Sequence, residues 1–251
     1  MKLRTTLLAA LGCLFALATS CKDPDDNNKT QYATNKAGER LVEKIIDDSD
    51  TICFEYNSDG TLKTIKGYEG SRIFSFEKRN NTLFMKDIDG DDIEETSFDL
   101  NANGLIILDR GWNGKYNYRL TYDESGKYLH NVFDGDELMW TFQWEDGNIL
   151  NEEVTYIPTQ SHPSNIDWCA YFQTWRIQKN EENEDLVEVP SISLFWGFSE
   201  GYLGTKCKGL PAKDENWGTY TYDYTEDGFI SAIYTSNEWR KREIHVTYLK
   251  K

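Results

Sequence analysis

Two patterns in this chain carry residue types and spacings that could do chemistry. Gly197-Phe198-Ser199-Glu200-Gly201 matches G-x-S-x-G, the turn that presents a serine nucleophile in hydrolases. Such an elbow needs a strand before it and a helix after it, because the sharp turn between them exposes the hydroxyl. Ser193 to Trp196 read as strand, but Tyr202-Leu203-Gly204-Thr205 start a helix poorly, and His245 is the sole histidine downstream to act as base. In the alternating stretch Ile244-His245-Val246-Thr247-Tyr248 that histidine reads as a solvent-facing strand residue. The second pattern is Asp99-x-Asn101-x-Asn103-Gly104, echoed by Asp223-x-Thr225-x-Asp227-Gly228, which imitates the first half of a calcium loop. Calcium wants a bidentate glutamate at the twelfth position, where this chain has Arg110 and Tyr234. Both stretches read instead as hairpin turns whose side chains bond their own backbone. Asp87-x-Asp89-Gly90-Asp91-Asp92 reads as a solvated hairpin tip, and Asp50-Thr51-Ile52 resembles a short glycosylation sequon of some gut anaerobes. The expectation is therefore no catalytic residue, no metal site and no cofactor.

Aromatic residues offer a different chemistry. The chain has 12 Phe, 8 Trp and 15 Tyr, most of which a curled sheet needs as core. Trp112, beside Asn113-Gly114, and Trp217, between Asn216 and Gly218, stand at turn positions where solvent is expected. Flat exposed rings stack on sugar faces, so these two are the predicted glycan-binding residues.

The elements that must position them follow from a repeat. Phe54 and Tyr56 precede Asn57-Ser58-Asp59-Gly60, with Leu62 and Ile65 after it; Tyr222 and Tyr224 precede Thr225-Glu226-Asp227-Gly228, with Ile230 and Ile233 after it. Looser copies surround Asn103-Gly104, Ser125-Gly126 and Asp146-Gly147. Period-two alternation around Asn-Gly and Asp-Gly is a hairpin signal, since those residues supply the positive φ of tight turns. Further hairpins are predicted around Asn80-Asn81 and Trp112-Asn113-Gly114. The fold class is all-β, an antiparallel meander of hairpin repeats curled into a barrel-like or half-barrel sheet. One interruption, Pro158-Thr159-Gln160-Ser161-His162-Pro163, precedes a short helix near 164–175, capped by Ser164 or Asn165 and running through Trp168, Cys169, Phe172 and Trp175.

Lys2 and Arg4 precede an apolar run from Leu7 to Ala18, and Thr19-Ser20 stand before Cys21. This reads as an export signal over residues 1–20. A cysteine after small residues resembles the bacterial lipobox, which implies lipidation of Cys21. Residues 21–38 then read as an acidic, flexible tether and 39–251 as a single β domain with an insertion at about 158–188. The whole chain carries a net charge of −16, and without residues 1–20 it carries −18, so nucleic acid is excluded as a partner. Cys53, Cys169 and Cys207 are spaced unlike any zinc motif. One disulfide or buried free thiols both fit them.

The signal and tether, the repeated hairpins, Asn165-Ile166-Asp167, and Tyr202-Leu203-Gly204 through Gly209-Leu210-Pro211 resemble a lipoprotein family of unknown function with a porin-like fold, found in gut anaerobes. Gly209 departs from the asparagine expected there. The resemblance implies a barrel-like sheet and no established activity. Thr221-Tyr222-Asp223-Tyr224 and Asp227-Gly228 also resemble YD-repeat hairpins of toxin shells. The strand segments, at about five to seven residues, are short of the roughly 9–11 that span a bilayer, and Tyr248-Leu249-Lys250-Lys251 lacks the terminal aromatic of an outer-membrane barrel. The expected protein is a non-enzymatic, outer-membrane lipoprotein, cell-surface or periplasm-facing with the extracellular face favoured, membrane-bound through its lipid alone and binding glycans. The alternative is an interaction subunit docking on an outer-membrane protein through a sheet edge; a carboxylate-based glycosidase comes third.

Overall fold

The repeat is built around one turn. In Asn57–Thr61 the Asn57 N–H donates to Thr61 O (2.8 Å), the Gly60 N–H donates to Asn57 O (2.9 Å), and Gly60 has φ +82°. The same ring closes at Asn101–Leu105 and Thr225–Phe229, with Gly104 at φ +83° and Gly228 at φ +85°. Only glycine adopts that left-handed backbone at no steric cost. Asn101 Oδ1 accepts from the N–H groups of Asn103 (2.9 Å) and Leu105 (3.0 Å), so the calcium-like side chain is spent on its own turn. Asp123 does the same around Gly126, accepting from Ser125, Lys127 and Tyr128. A further copy lies at Asn35–Glu39, where Asn35 Oδ1 accepts from Ala37 and Glu39 at 3.0 Å each.

The structure is a computed structural model describing residues 30–47, 50–67, 71–112, 114, 117–150, 154–157, 164–172, 191–214 and 217–251, the side chains of Trp112 and residues 191–194 excepted. The predicted signal 1–20, Cys21 and tether residues 21–29 lie outside the described residues. Tyr32–Lys251 is one compact unit.

The strands in order are β1 (Val42–Asp47), β2 (Asp50–Tyr56), β3 (Leu62–Lys66), β4 (Ile73–Arg79), β5 (Thr82–Asp89), β6 (Asp92–Leu100), β7 (Ile106–Trp112), β8 (Tyr118–Tyr122), β9 (Leu129–Asp134) and β10 (Glu137–Thr141). A separate two-stranded ribbon follows, β11 (Trp144–Glu145) and β12 (Asn148–Ile149), turning at Asp146-Gly147. Then come β13 (Thr155–Ile157), helices α1 (Trp168–Tyr171) and α2 (Ser191–Ser199), and β14 (Leu210–Asp214), β15 (Gly218–Tyr224), β16 (Ile230–Ser236) and β17 (Lys241–Tyr248).

Fifteen strands form one antiparallel sheet in the order β10 through β1, then β17 back through β13. The first and last strands therefore pair in its interior, Ile45 opposite Val246. The outer strands β10 and β13 do not pair with each other, so the curl is open and not a closed barrel.

The curl follows from what the helices touch. Phe195 meets Phe54 on β2, Trp196 meets Phe76 on β4 and Phe98 on β6, and Phe198 meets Phe142 just past β10. Strands about 4.8 Å apart place β2 and β10 nearly 40 Å from each other in a flat sheet. A nine-residue helix is only about 14 Å long, so the sheet must wrap around it. The face it encloses is apolar: Ile45, Ile65, Phe74, Met85, Phe98, Ile233 and Ile244 are at most 2% exposed. Outward positions are polar, as on β17, where Lys241, Glu243, His245 and Thr247 are exposed. A transmembrane barrel has the reverse pattern, although β6 reaches nine residues, longer than the segments anticipated. No helix among the described residues is long and apolar enough to cross a membrane.

Two details differ from expectation. α1 is capped by Asp167, whose carboxylate accepts the Ala170 N–H at 3.0 Å. Asn165 is instead bound to the sheet, accepting from Val42 N–H (2.9 Å) and donating to Tyr56 Oη (2.9 Å). Trp175 lies outside the described residues. The second helix, α2, covers the stretch 193–196 that reads as strand, because aromatic burial on all sides overrides local preference there.

Candidate functional site

The meander has two ends. At one, here the repeat-turn end, lie the Gly60, Gly104, Gly126 and Gly228 turns; at the other lie the hairpins carrying Trp112, Trp217 and Trp239.

Of the two tryptophans predicted to bind glycan, only Trp217 has a described side chain. Trp112 ends β7, opposite Thr96; its side chain lies outside the described residues. Trp217 is half-buried. Its Nε1 donates to Phe172 O (3.0 Å), and the Arg242 guanidinium covers its ring at 4.4 Å. Arg242 in turn forks onto the buried Asp47 carboxylate, which also accepts from Tyr171 Oη at 2.7 Å. The Trp217 ring is thus part of a buried ion-pair stack, not a bare platform.

Among the tryptophans with described side chains, Trp239 is the exposed one, at 90%. It sits on the β16–β17 turn, where Asn237 Oδ1 accepts from the N–H groups of Trp239 (3.0 Å) and Arg240 (2.7 Å). The turn backbone is therefore braced while the ring projects into solvent. Sequence reasoning passed over it. The Asn237-Glu238-Trp239-Arg240 stretch lacks the glycine that marked the other two, yet Asn237 starts the same kind of side-chain-braced turn.

The repeat-turn end is sealed. Segment 197–208 crosses it, with backbone bonds from Ile106 N to Tyr202 O (2.9 Å), Thr205 N to Lys127 O (2.8 Å) and Lys208 N to Gly147 O (3.0 Å). Tyrosines close the strand ends: the hydroxyls of Tyr56, Tyr122, Tyr222 and Tyr248 donate to the carbonyls of Val42, Ile106, Pro211 and Ile230 at 2.6–2.9 Å.

The G-x-S-x-G stretch is the end of α2. Ser199 Oγ is 3.0 Å from the Asp167 N–H and accepts it, and Ser199 is buried. Gly201, at φ +77°, donates to Phe198 O and stops the helix; a Cβ on Gly197 would meet the Leu203 side chain at 2.7 Å. A helix precedes this serine, so the elbow geometry is absent. His245 is exposed and 2.9 Å from Glu243.

Just beyond lies a small recess lined by Asn57, Phe76, Lys78, Trp196, Glu200 and Tyr202, with Glu200 its one carboxylate. Glu200 accepts from Leu62 N–H at 2.9 Å. Burial pushes its pKa up to about 7, against the opposing pull of that N–H and of Lys206. The Trp196 indole N–H is buried without a partner among the described residues. Among the described residues, two carboxyls facing each other, the arrangement glycoside hydrolysis uses, do not line this recess. Of the acidic cluster 87–92, Asp87 turns inward onto Arg72, while Asp91 and Asp92 are exposed. Asp50 and Thr51 are exposed at the start of β2.

An open antiparallel curl wrapped around internal helices, apolar inside and polar outside, defines a porin-like, all-β architecture that does not depend on closure. The chain is similar to a solved structure described as a porin-like protein from Bacteroides uniformis, at 15% identity and a TM-score of 0.51, over 84% of this chain and 99% of that one. That similarity concerns the fold. No protein-family profile matches the chain, and no curated protein does.

Proposed function

We propose that this protein is a lipid-anchored, non-catalytic glycan-binding protein of the outer membrane's extracellular face, with the Trp239 hairpin tip as its contact. The observation that carries the reading is the 90% exposure of Trp239 on a braced turn. An indole left in water costs hydrophobic free energy on the order of 2–3 kcal/mol relative to burial, which contact with the flat face of a sugar recovers. The chain joins the sheet at Tyr32, bridged to Lys250 at the repeat-turn end. The test is binding of the purified chain to plant, mucin and microbial glycans, with Trp239→Ala, Trp217→Ala and Trp112→Ala alongside. Binding abolished by Trp239→Ala in a folded protein is expected; the absence of any glycan ligand sinks the reading.

A second reading has its own observation. The outer edge of β10 has no strand beside it among the described residues, and Leu138 on that strand is 37% exposed. An unpaired edge of this kind fits β-augmentation by an outer-membrane protein partner.

A further inference from the structure

Asp167, Cys169 and Cys207 converge in the interior although the second cysteine stands 40 residues from Asp167. A carboxylate oxygen and both Sγ atoms lie within 4.8 Å of one another. Cys169 is 1% exposed and Asp167 3%, while Cys207 is half-buried. We propose that Cys169 Sγ, Cys207 Sγ and one Asp167 oxygen bind a single thiophilic divalent ion of the Zn²⁺ class.

The donor set selects the ion. Two thiolates with one carboxylate favour Zn²⁺ over Mg²⁺ or Ca²⁺, which take oxygen shells. In a tetrahedral site with bonds of about 2.0–2.3 Å the donors stand roughly 3.5–3.8 Å apart. Side-chain rotation of the half-buried Cys207 closes the difference.

The surroundings already fix the ligands. Asp167 accepts from Ala170 N–H and Cys207 N–H at 3.0 Å each, which orients the carboxylate and leaves lone pairs for an ion. Two thiolates, one carboxylate and a divalent cation leave one negative charge; burial disfavours the Asp167 carboxylate, and the N–H groups it accepts from and Lys206, itself paired with Glu39 at 2.6 Å, oppose that cost. Binding forms two metal–sulfur bonds and one metal–oxygen bond, and it releases the two thiol protons to solvent without any redox change. Affinity therefore falls as pH drops. The exposed side of Cys207 gives the ion its route in and a water its place as fourth ligand. Spacing in the sequence conceals the site because its halves come from α1 and from the loop before β14.

The test is titration of the reduced full-length chain with Zn²⁺ against a chromophoric chelator, and with Co²⁺ read by thiolate charge-transfer absorption in the near ultraviolet. One equivalent is expected, with the Co²⁺ band present. Cys169→Ser and Cys207→Ser should each weaken binding on the order of 100-fold, Asp167→Asn by about 10-fold, and Cys53→Ser not at all. Zn²⁺ should raise the melting temperature of the parent chain and leave that of Cys207→Ser unchanged, a readout available even if Cys169→Ser fails to fold. Binding that survives Cys207→Ser, no binding in competition with a micromolar chelator, or a Cys169–Cys207 disulfide in protein isolated from its native source overturns the proposal.

Discussion

The two ends of the sheet close their hairpins with similar turns and differ in what covers them. At the repeat-turn end each turn satisfies itself: Asn35, Asn101, Asp123 and Thr225 bond their own backbone, tyrosine hydroxyls take the strand-end carbonyls, and segment 197–208 crosses over the top. At the opposite end Asn237 braces the β16–β17 turn and Asp214 the Trp217 N–H in the same local way, but the tryptophan rings there are held by distant partners or by none among the described residues. Trp217 is held by Arg242 and Phe172, and the Trp239 ring projects into solvent. Local turn chemistry thus serves both ends, and what seals one of them is the crossing segment 197–208 with its tyrosines, which leaves the Trp239 side chain at the other end available for other surfaces.

That contrast can be broken most severely at Arg242. Its replacement by alanine strands the buried Asp47 carboxylate and uncovers Trp217, so unfolding in urea should show a loss of about 3–5 kcal/mol. At the sealed end, Glu200 gives a pH-dependent effect. Its carboxyl titrates near 7 in the folded protein and near the ordinary 4.5 when unfolded, so folding favours the protonated form. The stability this adds is complete below about pH 4.5 and disappears as pH rises through 7; on the order of 2–3 kcal/mol is at stake. Chemical denaturation at pH 4.5 and pH 8 should show that slope in the parent chain and a flatter one in Glu200→Gln. Next is Tyr56→Phe, which removes a hydroxyl that donates to Val42 O and accepts from Asn165, and should cost about 2 kcal/mol by the same measurement. The smallest effect is at the bare tip. Trp239→Ala should move stability by less than about 0.5 kcal/mol, and a larger loss would mean that the ring is structural after all.

What the sequence made legible follows the same division. The turns at Gly60, Gly104, Gly126 and Gly228 are written in contiguous residues, since a positive-φ glycine and an Asx or Thr side chain close each ring locally. Even the unnoticed copy at Asn35–Glu39 has that signature. Helix α2 does not, because Ser191–Ser199 carries Phe195, Trp196, Gly197 and Phe198, all weaker helix formers, and becomes helical only inside the curl. Neither tryptophan could be ranked from its neighbours. Trp217 is covered because strand register brings Arg242 onto it, and Trp239 is exposed because nothing among the described residues does so. Likewise the convergence of Cys169 and Cys207 requires the loop before β14 to lie on α1, a tertiary fact with no spacing signature.

The pairing of β1 with β17 puts both ends of the domain side by side in the middle of the sheet, while its free edges, β10 and β13, are near neighbours in the chain. Joining Lys251 to Tyr32 and opening the chain after Leu150 would therefore yield a circular permutant whose strands run β13 to β17 and then β1 to β10, each beside its successor. The long-range seam would become a short loop, and the permutant should fold faster than the parent because its loop closures are shorter.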